Sequence, residues 1–219
     1  NIVAEVGGSY GDIYGTAYLR DDKGNKIIGA DGIPVMDTER KKLGNALPKG
    51  TLGWSNTLNY KNWYFSFLID MSYGGDIFMG SINMGTNSGT LAMTSPYREG
   101  GLIIEGVNQS DGKSNTTAIT SEQYWKGING INEAFMYDAT NIRLREISFG
   151  YILPKQLFKT LPIKTAKIGF VARNLFMIYS KTKGFDPEGG YSTASSAIGA
   201  EYCSMPTMRS IGVNVNLTF

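Results

Sequence analysis

The chain of 219 residues contains no histidine and a single cysteine, Cys203. Without histidine the commonest general base is gone, and with it every Ser-His or Cys-His pairing, which leaves only carboxylate, lysine or tyrosine chemistry. One thiol closes no disulfide within the chain and, with no ligand-type neighbours in sequence, builds no metal site; it reads as a small filler in a loop. No run of about 18 apolar residues occurs, and the densest patch, Trp63 to Met71, is broken by Ser66 and Asp70, so no helix of this sequence spans a bilayer. Charge is sparse as well. The formal net charge is +2, with no basic stripe to hold a nucleic-acid backbone. No convergent carboxylate pair or nucleophile is legible, so an enzyme is not expected, nor is a cofactor or a bound metal.

What is abundant points to strands. Glycine reaches 28 residues and aromatics 12%, and turn formers are spread along the whole chain, which favours many short strands and an all-β fold. From Thr51 to Tyr73 the sequence reads as a hairpin turning at Lys61-Asn62. Its first arm puts Leu52, Trp54, Leu58 and Tyr60 on one side, with Asn56 as the exception; its second puts Phe65, Phe67, Ile69, Met71 and Tyr73 on one side. Aromatic rings crowding that short turn have the look of a barrel girdle at a membrane interface. A second hairpin runs from Asn141 to Ser180, its connection punctuated by Pro154 and Pro162. The alternation slips between Leu144 and Ile147, as a bulge would make it do. The last strand, Arg209 to Phe219, alternates without a break: Ile211, Val213, Val215, Leu217 and Phe219 against Gly212, Asn214, Asn216 and Thr218.

Alternation alone does not separate a soluble sandwich from a porin-like barrel. Loop lengths favour the barrel, because the turns are compact while the connections near 80–139 and 181–206 are long and rich in Gly, Ser, Asn and Thr. The expected organisation is an extracellular loop region with a small hairpin over 1–50, a barrel hairpin over 51–80 and a long extracellular loop over 81–139. A barrel hairpin with a periplasmic turn follows over 140–180, then an extracellular loop over 181–206 and the final strand over 207–219. Five strands close no barrel, so Asn1 is expected to lie inside a longer polypeptide.

Several segments, taken in order, resemble SusC-like TonB-dependent outer-membrane transporters (the SusC/RagA family). They are Gly11-Asp12-Ile13-Tyr14-Gly15, Lys42-Leu43-Gly44-Asn45-Ala46, Gly53-Trp54-Ser55-Asn56-Thr57-Leu58 and Gly74-Gly75-Asp76-Ile77-Phe78. Further along come Ile142 to Tyr151 with Leu153-Pro154, then Arg173-Asn174-Leu175-Phe176, Gly184-Phe185-Asp186-Pro187-Glu188 and the closing Asn214 to Phe219. The resemblance implies the C-terminal antiparallel strands of a large transmembrane β-barrel, with Phe219 as its assembly signal. It also implies import of oligosaccharides or peptides, a SusD-like surface lipoprotein as partner, outer-membrane lipid around the wall, and TonB acting through an N-terminal part that is not in this sequence. The alternative is a secreted or surface glycan-binding β-sandwich without transport.

Candidate residues fall into two groups. Tyr97, Tyr124, Trp125, Tyr137 and Tyr191 are loop aromatics that can stack on cargo or on a partner, or simply pack their loops. Asp186 and Glu188 flank Pro187, where a ligand site and a turn are both open readings. Arg143, Arg145 and Glu146 are expected at the lumen or the rim, because charge on a lipid face costs about 2 to 4 kcal/mol near the midplane.

Overall fold

The computed structural model describes residues 2–3, 6–158, 162–182, 184–190 and 198–219. In chain order the first strands are β1 (Asp12–Tyr18), β2 (Ile27–Ile28), β3 (Met36–Asn45), β4 (Gly50–Tyr60), β5 (Trp63–Tyr73) and β6 (Asp76–Met79). Helix α1 (Gly80–Asn87) comes next, then β7 (Leu102–Ile103), β8 (Val107–Asn108), β9 (Ala118–Ile119), helix α2 (Ser121–Gly127) and β10 (Met136–Asp138). The chain finishes with β11 (Asn141–Leu153), β12 (Thr165–Ser180), β13 (Ala200–Glu201) and β14 (Ser210–Thr218). These elements divide into two units that alternate along the chain. One holds Asn1–Leu47, Gly75–Asp138 and Gly189–Met205; the other holds Pro48–Gly74, Ala139–Glu188 and Pro206–Phe219.

The second unit is one antiparallel sheet in the order β14-β12-β11-β5-β4, a meander in which spatial order follows chain order. The β4–β5 turn is the two-residue Lys61-Asn62, with Lys61 in the left-handed region at φ 53°. Asn62 is anchored to the neighbouring strand, donating through Nδ2 to the Ile152 carbonyl at 2.7 Å and accepting from the Ile152 amide at 2.7 Å. Register places Trp54, Ile69, Leu144 and Phe176 in one row across the sheet, and Phe65, Phe149, Phe170 and Val213 in another. Because side chains alternate with a period of two, one whole face is apolar. That face is uncovered: Trp54 is 55% exposed, Phe170 47% and Val213 72%. Near the turn end, the ring of Trp63 stacks on Phe149 at 5.0 Å and meets Tyr151 edge-on at 4.7 Å.

The opposite face is polar. Ser66 and Ser148 share a hydrogen bond of 2.6 Å across the β5–β11 pair. Next to them the ring of Tyr64 lies over Gly150 and Gly169, where any Cβ would collide with it. Glycine on both β11 and β12 is therefore what lets one aromatic ring cross two strands.

Toward the loop end the ladder slips. Between Leu144 and Glu146, β11 carries one residue, Arg145, that β5 does not match. In the same place β12 takes an extra step around Asn174, whose φ is 51°. A two-against-one bulge turns consecutive side chains to the same side. Arg145 and Glu146 both bond to groups on the polar face, while Leu144 and Ile147 keep their rows on the apolar one.

The first unit has a core of its own, built from Ile13, Ala17, Tyr18, Ile77, Met79, Ile82, Ile128, Ile131 and Phe135. β1 pairs with β3, and a three-stranded sheet runs β10-β6-β13, with β13 parallel to β6. The turn signals at Lys23-Gly24-Asn25 and Asp31-Gly32 close small loops with single bridges, Arg20 to Lys26 and Ile28 to Pro34, inside the longer β1–β3 pairing. Asp21 caps the first of these turns, accepting from the amides of Lys23 and Asn25 at 3.0 and 2.8 Å. The stretch 81–139 is ordered by α1, α2 and short strands. α2 starts with a capping box in which the Thr120 side chain accepts from the Gln123 amide while Gln123 reaches back to the Thr120 amide.

Candidate functional site

The polar face of the sheet gathers its charge near the loop end. Arg143 is 4% exposed, and its guanidinium donates to Asp186 at 2.5 Å and to the Thr207 hydroxyl, with Glu188 at 3.7 Å. Arg145 makes a fork onto one oxygen of Asp70, through Nε at 3.0 Å and Nη2 at 2.8 Å, and also pairs with Glu188. Glu146 takes a different partner, accepting from Arg173 Nε at 2.8 Å. Asp70, Arg145, Glu146, Arg173 and Asn174 line an open hollow of about 470 Å³ on this face.

Asp186 is both a turn residue and an ion partner. Its Oδ1 accepts from the Glu188 amide at 3.0 Å and its Oδ2 from the Thr207 amide at 3.0 Å, and the Thr207 hydroxyl donates to it as well. Burial pushes this carboxyl up, but the hydrogen bonds from Arg143, Thr207 and Glu188 outweigh it and hold the group down at about 2. A carboxylate that accepts this many donors stays ionised, and its charge offsets part of the desolvation cost of burying Arg143, whose Nε has no hydrogen-bond partner.

Of the described loop aromatics, Tyr124 lies beside Trp125 and near Tyr137, while Tyr97 stands exposed on its own turn. Tyr97 is 56% exposed with φ 59°, and its carbonyl accepts from the amides of Gly100 and Ser121. Tyr124 is half-buried, hydrogen-bonded to the phenol of Tyr18, and packed edge-on against Trp125 at 5.0 Å. Tyr137 is half-buried in β10 opposite Ile77, and burial raises its phenol. Tyr191 lies outside the described residues. Trp125 lines a cavity of about 470 Å³ together with Arg98, Glu122 and Lys126. Phe219 follows the last residue of β14 and is 67% exposed.

Among the described residues no group of His, Cys, Asp and Glu is arranged to hold a metal. Asp70, Thr207 and Arg98 were not singled out from sequence. Asp70 had a signal, since it interrupts an apolar strand on its polar side; Thr207 and Arg98 had none.

No protein-family model matches the chain. It is similar to the TonB-dependent receptors P3 and P26 of Formosa agariphila, being 27% identical over 217 residues and 26% over 215, in each case 94% of this chain. TonB-dependent receptor P39 of the same organism is 27% identical over 209 residues. The chain spans about a fifth of the length of these curated relatives, 20% of P3 and of P26. Among solved structures it is similar to the RagAB peptide importer in the closed-closed state, with a TM-score of 0.60 at 19% identity over 95% of this chain and 23% of that one. The open-open state of the same importer gives a TM-score of 0.60 at 18% identity. A wall with one uncovered apolar face, aligned along nearly its whole length with these proteins, is a partial β-barrel. In sequence the chain is similar to TonB-dependent receptors, and in fold to part of the RagAB importer.

Proposed function

We propose that this segment forms part of the wall of an outer-membrane importer, energised through TonB by a plug carried elsewhere in a longer polypeptide and assisted by a SusD-like surface lipoprotein. Its cargo is an oligosaccharide or a peptide. The observation that carries the reading is the apolar face of the five-stranded sheet, where Leu52, Trp54, Leu58, Ile168, Phe170, Ile211 and Val213 stand exposed together. Soluble proteins rarely leave contiguous apolar patches of more than a few hundred Å². In a glycan-binding sandwich that face is covered by a second sheet. Among the described residues this unit has a single sheet, and its polar face is the one that carries the buried ion pairs. Lipid supplies the missing cover.

The test is uptake by cells expressing the full-length parent protein, with and without functional TonB, combined with purification from the outer membrane. TonB-dependent uptake of oligosaccharides or peptides and co-purification of a surface lipoprotein are expected. Recovery of the parent as a monodisperse, detergent-free protein would sink the reading.

A further inference from the structure

We propose that the cavity between the end of α1 and α2 is a binding subsite for an acidic saccharide, one bearing a carboxylate or a sulfate. As a cargo subsite it rests on the importer reading above. The cavity, of about 470 Å³, is within the range that takes a small ligand. Its walls are Asn87 and Ser88 at the end of α1, Arg98 from the following loop, and Glu122, Trp125 and Lys126 of α2.

Three features select the ligand class. The indole of Trp125 is the one aromatic group in the lining, and it packs edge-on against Tyr124, ring centres 5.0 Å apart, whose phenol is itself hydrogen-bonded to Tyr18. A flat, held indole suits the C–H face of a sugar ring. Apart from it, the lining is hydroxyl, amide, charge and glycine, with no aliphatic pocket for an apolar peptide side chain. Charge then separates acidic from neutral sugars. Lys126 is neutralised by Glu122 at 2.6 Å. Arg98 is held by the carbonyl of Gly89, which accepts from Nη2 at 2.9 Å, and by a longer contact from Nε to the Thr94 carbonyl. Among the described residues no carboxylate stands within ion-pair distance of Arg98. Its cationic head is held by neutral acceptors at the cavity wall, so its charge is available to an anion there. Guanidinium pairs with carboxylate or sulfate oxygens more strongly than with neutral hydroxyls.

The experiment is titration calorimetry on the full-length parent in detergent, with a uronic-acid hexamer, a sulfated hexamer, the neutral hexamer of matching linkage and a hexaglutamate peptide. At least one anionic hexamer is expected to bind in preference to the neutral one. Trp125→Ala should weaken that binding roughly tenfold or more, the scale of one lost stacked ring, while Trp125→Phe retains most of it. Arg98→Gln should abolish the preference for the anionic sugar and leave the weak neutral binding in place. Equal affinity for anionic and neutral hexamers, tighter binding of hexaglutamate, or a Trp125→Ala protein that binds like wild type and keeps its heat-modifiable gel mobility overturns the subsite. TonB-dependent uptake accompanied by any of those results overturns this subsite alone, whereas uptake independent of TonB overturns the importer reading and leaves the binding comparison intact.

Discussion

At the scale of single residues, the pair Arg143 and Asp186 carries the clearest energetic consequence. Both side chains are below a tenth exposed, at 5% and 9%. Asp186→Asn keeps the shape but leaves the buried guanidinium only Thr207 and the more distant Glu188 carboxylate, a loss bounded by the about 3–5 kcal/mol of a buried pair broken outright. The expected outcome is faster amide hydrogen exchange at Thr207 and Glu188, whose amides donate to Asp186, with the distant turn at Lys61-Asn62 unaffected. The pH dependence has a definite sign. The carboxyl is depressed from 3.8 to about 2, so its stabilising contribution is complete above the ordinary carboxylate value and is lost as pH falls toward the lower one. The protection factors of those two amides, with the intrinsic pH dependence of exchange divided out, should therefore be flat down to about pH 4 and fall between there and pH 2. Protection that fades at higher pH would assign it to another group. The charges themselves were legible in the sequence. Their partners were not, because Arg143 and Asp186 lie 43 positions apart and meet only once the register of β11 and the path beyond β12 are set.

Among the elements, β5, the turn-end half of β11 and β14 were readable because their side chains alternate without a fault. β3 was not. It contains Arg40-Lys41-Lys42 in succession and so has no apolar side; what holds it in a strand is β1, where buried Asp12 accepts from Lys42 Nζ at 2.7 Å and Asn45 Nδ2 at 2.7 Å. The slip at Arg145 explains why the period breaks between Leu144 and Ile147 although both keep to the apolar face. Were all five residues from Arg143 to Ile147 to alternate without a bulge, Arg143 and Ile147 would fall on the same side. Deletion of Arg145 should accordingly preserve the sidedness of the strand, whereas deletion of Ser148 inverts one end against the other; folding yield into lipid vesicles separates the two. Tyr64 over Gly150 and Gly169 yields a second prediction. Gly169→Ala, facing the Tyr64 hydroxyl, is expected to destabilise the wall by about 1–3 kcal/mol, with Tyr64→Phe in the same protein recovering part of the loss. Additive effects in a denaturant titration would count against direct contact.

For the molecule as a whole, sidedness is the property that matters. Val213→Lys, on the apolar row of β14, should impair insertion by about 2–4 kcal/mol if that row faces the middle of a bilayer, while neighbouring Asn214→Lys should be nearly silent. Similar insertion yields for the two would contradict a lipid-facing assignment. The outermost strands, β4 and β14, each have one edge without a partner in this sheet, as a barrel segment must. Phe219→Ala is expected to lower the amount of the parent protein that reaches the outer membrane, measured as surface-accessible protein; unchanged levels would remove Phe219 from assembly.

The two units also interleave along the chain, three stretches of each in alternation. The central strand of the β10-β6-β13 sheet receives its last neighbour, β13, from residues 200–201, after four of the five wall strands have been made. β6 and β10 can meet early, but the set is complete only after the chain has passed through β12, with β14 still to come. Closing that sheet therefore depends on a segment far along the chain, and deletion of Ala200-Glu201 should strip β6 of its parallel partner while leaving every wall strand its neighbours, read as faster hydrogen exchange at the Phe78 amide, which donates to the Gly199 carbonyl.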